Sequence, residues 1–511
     1  MSGDALTIPA VIAERRAADA GVLALVSDES RISYAELDDA SRALARRMIG
    51  AGLGKGDRVG LLMPNGIDWA VAALAVMRVG GVLVPLSTLL RPPELIAQLH
   101  VASVSHLLAV RGYRNRSYED DLRSVAPAAP LLRRIWLWGE LPDTPCPPDM
   151  IDALESVIRP ADDMVVLFTS GSRGAPKGVI HTHGSALRAT ACSLEARCIG
   201  PGERLYIPMP FFWTGGFCAG LLSVLLSGAT LLTESSPEPE KTIAFLERER
   251  ATLFRGWPDQ AARIAAHPAF AAADLSSLRP ASLAAVLPPA LRPRTGARAN
   301  IFGMTESGGP YCGARLDLDL PDAKHGSCGR PFAGVEVRIV DPETGDAAPP
   351  GGQGEIQLRG PNLMRGICGR THSEVFDAAG WYATGDLGRL DPDGYLWYAG
   401  RRDDMFKVKG ATVYPTEVES GLRAVPGVRQ AFVTDVIDAG GAPEVGALVV
   451  STLDREALAD AARARLSAFK VPTLWLVAGH PDVVPMSATG KVDKPALQRL
   501  LRERGERCTR S

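Results

Sequence analysis

Lysine is scarce in this chain: nine of the 56 basic residues are lysine and the rest are arginine. Solvated arginine and lysine are nearly equivalent, so the shortage alone reads as compositional drift. It nevertheless makes each remaining lysine worth locating: Lys55, Lys177, Lys241, Lys324, Lys407, Lys409, Lys470, Lys491 and Lys494. An excess of either sign is also missing. The 56 basic and 58 acidic side chains leave a net charge of −2, which excludes a polybasic binder of nucleic acid, whose phosphate contacts need clustered cations. The eight cysteines contain no CxxC pair and no zinc spacing with histidine, so they read as buried or incidental thiols of a reducing compartment. The N-terminal stretch has no apolar signal core, and a cytoplasmic location is expected. An unbroken apolar span is absent as well. Residues 205–232 carry no charge and are long enough to cross a bilayer, but Pro208, Pro210, Gly215, Gly216, Gly220 and Gly228 interrupt them. A buried helix or strand pair is the expectation there, with no transmembrane span.

What is present points to a large folded chain. The 511 residues suggest about two to four domains. With 46% hydrophobic and 22% charged residues, sizeable cores can form and wholesale disorder is excluded. From residue 33 to 110, helical spacing and short apolar runs alternate. The pattern predicts helices over 33–51, 67–78 and 93–101, and strands over 57–63, 81–85 and 105–110. Residues 139–150 read as a Pro-rich surface connector, and 206–232 and 335–358 as strand-bearing. After Gly400, helices over 417–424 and 456–469 and strands over 428–435 and 445–451 suggest a compact α+β unit. The expected fold class is therefore α/β: a large N-terminal body of helix-covered parallel and mixed sheets, residues 1–400, and a small α+β C-terminal domain, residues 401–511.

A strand over Val165–Phe168 feeds a turn rich in glycine and hydroxyls, Thr169-Ser-Gly-Ser-Arg-Gly-Ala-Pro-Lys-Gly178. Small residues let backbone amides approach a polyphosphate, hydroxyls donate to its oxygens, and Lys177 supplies countercharge. Lys177 stands six residues after Gly171, as in a Walker loop, yet Pro176 and Gly178 replace the Walker glycine and the magnesium-binding hydroxyl. The turn reads as phosphate-binding but not as a P-loop, so a metal must be held elsewhere. A plain surface turn is the alternative.

Four further segments are ambiguous singly: Asn300-Ile-Phe-Gly-Met-Thr-Glu306, Trp381-Tyr-Ala-Thr-Gly-Asp386, Gly400-Arg-Arg-Asp-Asp-Met-Phe-Lys407 and Pro485-Met-Ser-Ala-Thr-Gly-Lys491. With the glycine-rich turn, and in this order, they resemble the adenylate-forming superfamily of acyl- and aryl-CoA synthetases, peptide-synthetase adenylation domains and luciferases. The resemblance extends from about residue 20 to about residue 500.

The resemblance implies a two-step reaction. A carboxylate attacks the α-phosphate of ATP to give an acyl-adenylate and pyrophosphate, and a thiol, usually that of coenzyme A, then displaces AMP. An anion must approach an anion, so fixed cations, amide donors and Mg²⁺ are the expected catalysts. By position, Thr169, Ser170, Gly171, Ser172, Gly174 and Lys177 would hold the β- and γ-phosphates. Phe302 and Gly303 would line the adenine site, Phe302 standing where tyrosine is usual. Thr305 would contact the α-phosphate and Glu306 would ligate Mg²⁺, a hard cation suited to a carboxylate. Asp386, assisted by Arg401, would accept hydrogen bonds from the ribose hydroxyls. Lys491 would bridge the substrate carboxylate and the α-phosphate. The family is known for turning a mobile C-terminal domain after adenylation. Asp403 matches its hinge, near 401–404, and Lys409 and Gly410 match the segment facing coenzyme A.

The departures lie where substrate is chosen. Arg173 replaces a usual threonine in the phosphate loop, and either adds a charge-assisted contact or points away. Trp213, preceded by Phe212 at the same acyl site, occupies the place where many members carry histidine. A bulky apolar gate suggests a hydrophobic or aryl acid, and a core aromatic is an equal reading. Ser282–Val286 replaces a strand that usually contains glycine, and residues 289–302 look short. His181 and His183, after the loop, read as structural or capping residues. The main expectation is an AMP-forming acyl- or aryl-CoA synthetase. The alternatives are a stand-alone adenylating enzyme that serves a carrier protein in trans or another acceptor, and a nucleotide-binding protein that has lost its chemistry.

Overall fold

The computed structural model describes residues 6–144, 146–147, 149–170, 176–408, 411–438, 442–466, 469–486 and 492–507. Helices and strands alternate through the first part of the chain as the hydrophobic periodicity predicts. The helices are Tyr34–Gly50, Ile67–Arg78 and Pro92–Val101, and the strands between them Arg58–Leu62, Val82–Pro85 and His106–Ala109. Helix Tyr34–Gly50 starts where it does because Ser33 and Glu36 close a capping box, with Glu36 N–H donating to Ser33 Oγ at 3.2 Å and Ser33 N–H to Glu36 Oε2 at 2.8 Å. Such a cap is worth about 1 kcal/mol. Helix Ile67–Arg78 is buried from Trp69 to Arg78, which explains why its sequence is apolar on every side.

Contacts divide the chain into two compact units. The first comprises Met1–Val337, Leu358–Tyr382 and Gly394–Leu396; the second comprises Arg338–Gln357, Ala383–Asp393 and Trp397–Ser511.

In the first unit a seven-stranded sheet runs in the order Gly366–Ile367, Pro176–Thr182, Asp163–Ser170, Val82–Pro85, Arg58–Leu62, His106–Ala109, Arg134–Leu137. The last five strands are parallel and the first two pair antiparallel, so the sheet is mixed. A five-stranded sheet, ordered Leu253–Phe254, Arg204–Tyr206, Thr230–Leu232, Leu23–Val26, Arg31–Ser33, is parallel except for its last strand. The uncharged stretch 205–232 resolves into this architecture. It is strand Arg204–Tyr206, a helical run from Thr214 to Ser227 with a π-helical middle, and strand Thr230–Leu232, mostly buried in the main core. No described helix is long and apolar enough to cross a membrane. The segment Ser282–Val286 is not a strand. Its end is a short 3₁₀ turn, Ala284–Val286, and the Ser282 hydroxyl accepts the Phe254 N–H at 3.1 Å, the donor a sheet neighbour would otherwise take.

Strands Glu336–Val340, Gly354–Arg359, Tyr382–Leu390 and Leu396–Arg401 form a four-stranded sheet most of whose residues count with the second unit, Tyr382 itself counting with the first. Ladder hydrogen bonding is thus why residues 338–357 and 383–393, placed in the N-terminal body by sequence order, cluster with the C-terminal stretch. Beyond them, strands Val428–Ile437, Pro443–Ser451, Leu474–Ala478 and Glu506–Arg507 form a sheet accompanied by helices Pro415–Arg423, Arg455–Arg463 and Lys494–Arg504. This is the expected α+β arrangement. The helix expected over 456–469 ends early, at Arg463, its apolar face already spent in burying Leu458, Ala459 and Ala462.

Candidate active site

The glycine-rich turn joins two antiparallel strands of the mixed sheet. Their register sets Thr169 opposite Lys177 and Ser170 opposite Pro176. Gly171, Ser172, Arg173 and Gly174 lie outside the described residues. Lys177 leaves the turn as a half-buried side chain whose ammonium contacts Glu306 Oε1 and donates to the Tyr382 hydroxyl at 3.1 Å. That hydroxyl donates to the same Glu306 oxygen at 3.3 Å, and the ammonium lies 5.6 Å from the Tyr382 ring centroid. A cation, a carboxylate and a phenol form a closed triangle in which Glu306 and Tyr382 are only 6% and 7% exposed.

Glu306 reaches this point from the tip of a hairpin, strands Phe302–Met304 and Gly309–Gly313, with Thr305–Ser307 as a 3₁₀ turn between them. Gly303 is required there: a Cβ would stand 2.3 Å from the carbonyl oxygen of Gly309 across the hairpin. Buried Ser307 pins the tip by donating to Gly309 O at 2.6 Å and accepting from Met304 N at 3.2 Å. Phe302 meets Tyr311 edge-on, ring centroids 5.5 Å apart. The tip is also tied to the phosphate-loop strand, because His181 Nε2 lies 2.7 Å from Thr305 O. Burial holds the His181 imidazole below its ordinary pKa, so it stays neutral, with Nε2–H donating and Nδ1 3.3 Å from Ser185 Oγ. His181 therefore lies on a strand and braces the hairpin. The helix that follows is capped by Thr182, whose Oγ1 accepts the Ser185 N–H at 3.0 Å.

A second arm approaches the tip from Pro210-Phe-Phe-Trp-Thr214. Asn65, just after strand Arg58–Leu62, accepts the Phe211 N–H at 2.8 Å and donates to Met209 O at 3.0 Å, which holds this arm on the body. At Gly216 a Cβ would stand 2.2 Å from Pro210 O, so only glycine permits the chain to fold back so tightly. Phe212 is buried and packs edge-on against Trp213 at 5.3 Å; Trp213 in turn meets Trp257 edge-on at 5.6 Å. Thr214 Oγ1 and Thr305 Oγ1 are 3.0 Å apart, joining the aromatic arm to the hairpin tip. Among the described residues no group of three or more His, Cys, Asp or Glu side chains converges on a metal site. A lone buried carboxylate fits Mg²⁺, which takes one or two protein carboxylates and completes its octahedron with phosphate oxygens and water.

In the second unit Asp386 is buried and pairs with Arg401, Nη1 to Oδ1 at 2.9 Å. The same Nη1 donates to Thr384 O at 3.1 Å, and the Asp386 N–H donates to Thr384 Oγ1 at 3.0 Å. Gly385 between them adopts φ +73 with its N–H on Glu355 Oε1 at 3.0 Å, while Glu355 also receives Arg402 Nη1 at 3.1 Å. Asp403 follows in the 3₁₀ turn Arg402–Asp404. Lys409, Gly410 and Lys491 lie outside the described residues.

The model of the AMP-binding enzyme family matches residues 12–368, well over half of the chain. The chain belongs to this family of adenylate-forming enzymes. A methyl-dioxo-octahydroindenyl-propanoyl:CoA ligase of Mycobacterium tuberculosis is 34% identical over 98% of this chain and 100% of the relative. A feruloyl-CoA synthase of an Amycolatopsis species is 34% identical over 92% of this chain and 94% of the relative. A solved anthranilate CoA ligase in complex with anthranoyl-AMP shares the fold with a TM-score of 0.80, at 24% identity and 97% coverage of both chains.

Three residues beyond those expected from sequence join the site. Tyr382 was visible within a motif segment but has no charge to mark it. Thr214 follows Trp213 without any signal of its own, and Trp257, 44 positions from Trp213, is brought to it only by folding. All seven cysteines among the described residues are free thiols.

Proposed function

We propose that this protein is an AMP-forming acid–thiol ligase that activates a hydrophobic or aryl carboxylic acid with ATP and Mg²⁺ and passes the acyl group to coenzyme A. The observation that carries the reading is the convergence of Lys177, Glu306 and Thr305, a phosphate-loop cation, a metal-grade carboxylate and a hydroxyl, beside an aromatic arm. Names of the relatives supply the acceptor: the two at 34% identity are a propanoyl:CoA ligase and a feruloyl-CoA synthase.

In this reading Thr169–Lys177 binds the β- and γ-phosphates, Phe302 and Gly303 flank adenine, and Asp386 with Arg401 takes the ribose hydroxyls. Thr305, steadied by Thr214 and His181, donates to the α-phosphate. Glu306 would hold Mg²⁺, which would supply the positive charge that the crowded phosphates need. Lys491 bridges carboxylate and α-phosphate in that transition state. The C-terminal domain then turns about a hinge near Asp403, so that Lys409 and Gly410 face coenzyme A, a gating motion that lets one domain serve both half-reactions. Phe212 and Trp213 line the acid pocket with Trp257 behind, and flat apolar acids fit such a wall.

Acid-dependent pyrophosphate exchange across a panel of aryl, fatty and short carboxylic acids tests the first half-reaction, and an aryl or hydrophobic acid is expected to lead. AMP release measured with and without coenzyme A tests the second. AMP release indifferent to coenzyme A would move the acceptor to a carrier thiol or another nucleophile, and no exchange with any acid would refute the ligase reading.

A further inference from the structure

Lys177 and Glu306 are assigned ligands of opposite charge, a polyphosphate and a divalent cation. In the structure the two side chains contact each other, and Tyr382 holds both: it accepts from the ammonium at 3.1 Å and donates to the carboxylate at 3.3 Å. The cluster lies within one compact unit, so the pair belongs to a single folded body. Glu306 is nearly buried, and its backbone is fixed by the Met364 N–H on its carbonyl at 2.8 Å. A side chain so placed has little freedom to swing into solvent once Lys177 is taken away.

Resting on the ligase reading above, we infer that the Lys177–Glu306 pair, clamped by Tyr382, selects the magnesium-loaded nucleotide over the free one. A metal-free triphosphate can satisfy only Lys177. Taking the ammonium strands the Glu306 carboxylate with the Tyr382 hydroxyl as its remaining partner in the triangle, and sets it facing phosphate oxygens of like charge. Removing one partner of a buried pair costs more than the pair contributes. The magnesium complex exchanges both partners at once: phosphate replaces Glu306 on Lys177, and the metal replaces Lys177 on Glu306. The pair thus works against one form of the ligand and is neutral toward the other, which is specificity by penalty as well as by attraction.

The test is isothermal calorimetry of ATP binding in excess Mg²⁺ and in EDTA, with no acid present, for the wild-type protein and Glu306→Gln. Glutamine keeps the shape and a hydrogen bond to Lys177 but removes the charge that must be stranded. The expected result is a change of opposite sign in the two titrations. Metal-free ATP binds Glu306→Gln about tenfold more tightly than it binds wild type, as for a relieved buried charge. The magnesium complex binds it more weakly. Glu306→Ala reports the same contrast if the glutamine variant does not fold, folding being read from far-UV dichroism. Metal-free ATP binding no tighter to either variant than to wild type overturns the inference while leaving the ligase reading intact. Failure of wild type to bind the magnesium complex overturns the ligase reading itself.

Discussion

The imidazole of His181 and the carbonyl of Thr305, 124 positions apart in the chain, are joined by a 2.7 Å hydrogen bond inside the body. One end of the bond is a phosphate-loop strand and the other the hairpin tip that carries Thr305 and Glu306. The histidine is fully enclosed, burial favours its neutral form, and its place between strand and hairpin is that of a strut. His181→Ala is expected to lower kcat for adenylation about tenfold to a hundredfold, the loss of a buried hydrogen bond with its partner left unsatisfied. The pH profile should keep its shape. A lost acidic limb in the kcat profile would show that His181 transfers a proton instead.

The aromatic arm makes a claim about substrate. Trp213 packs edge-on between Phe212 and Trp257, and Trp257 is still 39% exposed, so part of this surface is free for a ligand. Trp213→Ala should raise KM for the best aryl acid about tenfold or more, since a large aromatic contributes well over a kilocalorie of apolar contact. KM for ATP should stay within about twofold. Equal loss for ATP and acid would mean that the arm merely supports the fold.

Much of this architecture was legible because helices and buried strands announce themselves by period. Helix Ile67–Arg78 has the predicted bounds, and the strands after Asp57 and Gly81 differ from expectation by a residue or so at each end. The motif segments carrying Lys177, Thr305, Glu306 and Asp386 were legible from residue type and order. What could not be read was the pairing of those residues, because contact between residues far apart in the chain depends on sheet order and hairpin register. Lys177 on Glu306, Thr214 on Thr305 and Trp213 on Trp257 are all of that kind. Ser282–Val286 misled for a local reason: the apolar run ends in a 3₁₀ turn that buries Val286 and leaves Ala284 exposed, and the Ser282 side chain takes the hydrogen bond.

Asp386 and Arg401 present one buried carboxylate with a guanidinium 2.9 Å away. Asp386→Asn removes the charge that faces that guanidinium and with it a charged acceptor. It should raise KM for ATP about tenfold to a hundredfold, as charge-assisted hydrogen bonds are worth about 1.5–3 kcal/mol. AMP affinity in the absence of acid should fall in parallel, because the ribose is common to both. An unchanged AMP affinity would remove Asp386 from the nucleotide site.

Lys491 is proposed to separate the two half-reactions. Its proposed role is confined to the transition state of adenylation, where carboxylate and phosphate charges meet. Lys491→Ala should abolish pyrophosphate exchange yet leave thioester formation from a supplied acyl-adenylate within about threefold of wild type, the split that a transition-state contact produces. Equal loss in both assays would sink the assignment.

His183 links the fold to pH. It begins the helix after the phosphate-loop strand, fully buried, and its Nδ1 accepts the Ile8 N–H at 3.2 Å. The proton therefore sits on Nε2, which has no hydrogen-bond partner among the described residues. Burial pushes the imidazole down to about 4 from an ordinary value of 6.5, although Asp162 nearby acts in the opposite direction. Between those two values the unfolded chain binds a proton that the folded chain does not. Stability must therefore fall as pH drops through 6.5, and the loss is complete below about 4. A shift of this size amounts to about 3 kcal/mol from this one side chain. His183→Gln retains an acceptor for Ile8 but cannot titrate. Its urea midpoint at pH 7 should be somewhat below that of wild type, and the deficit should shrink steadily as both are measured down to pH 4.5. A deficit that stays constant across that range would show that His183 is protonated in the folded protein or remains neutral in both states.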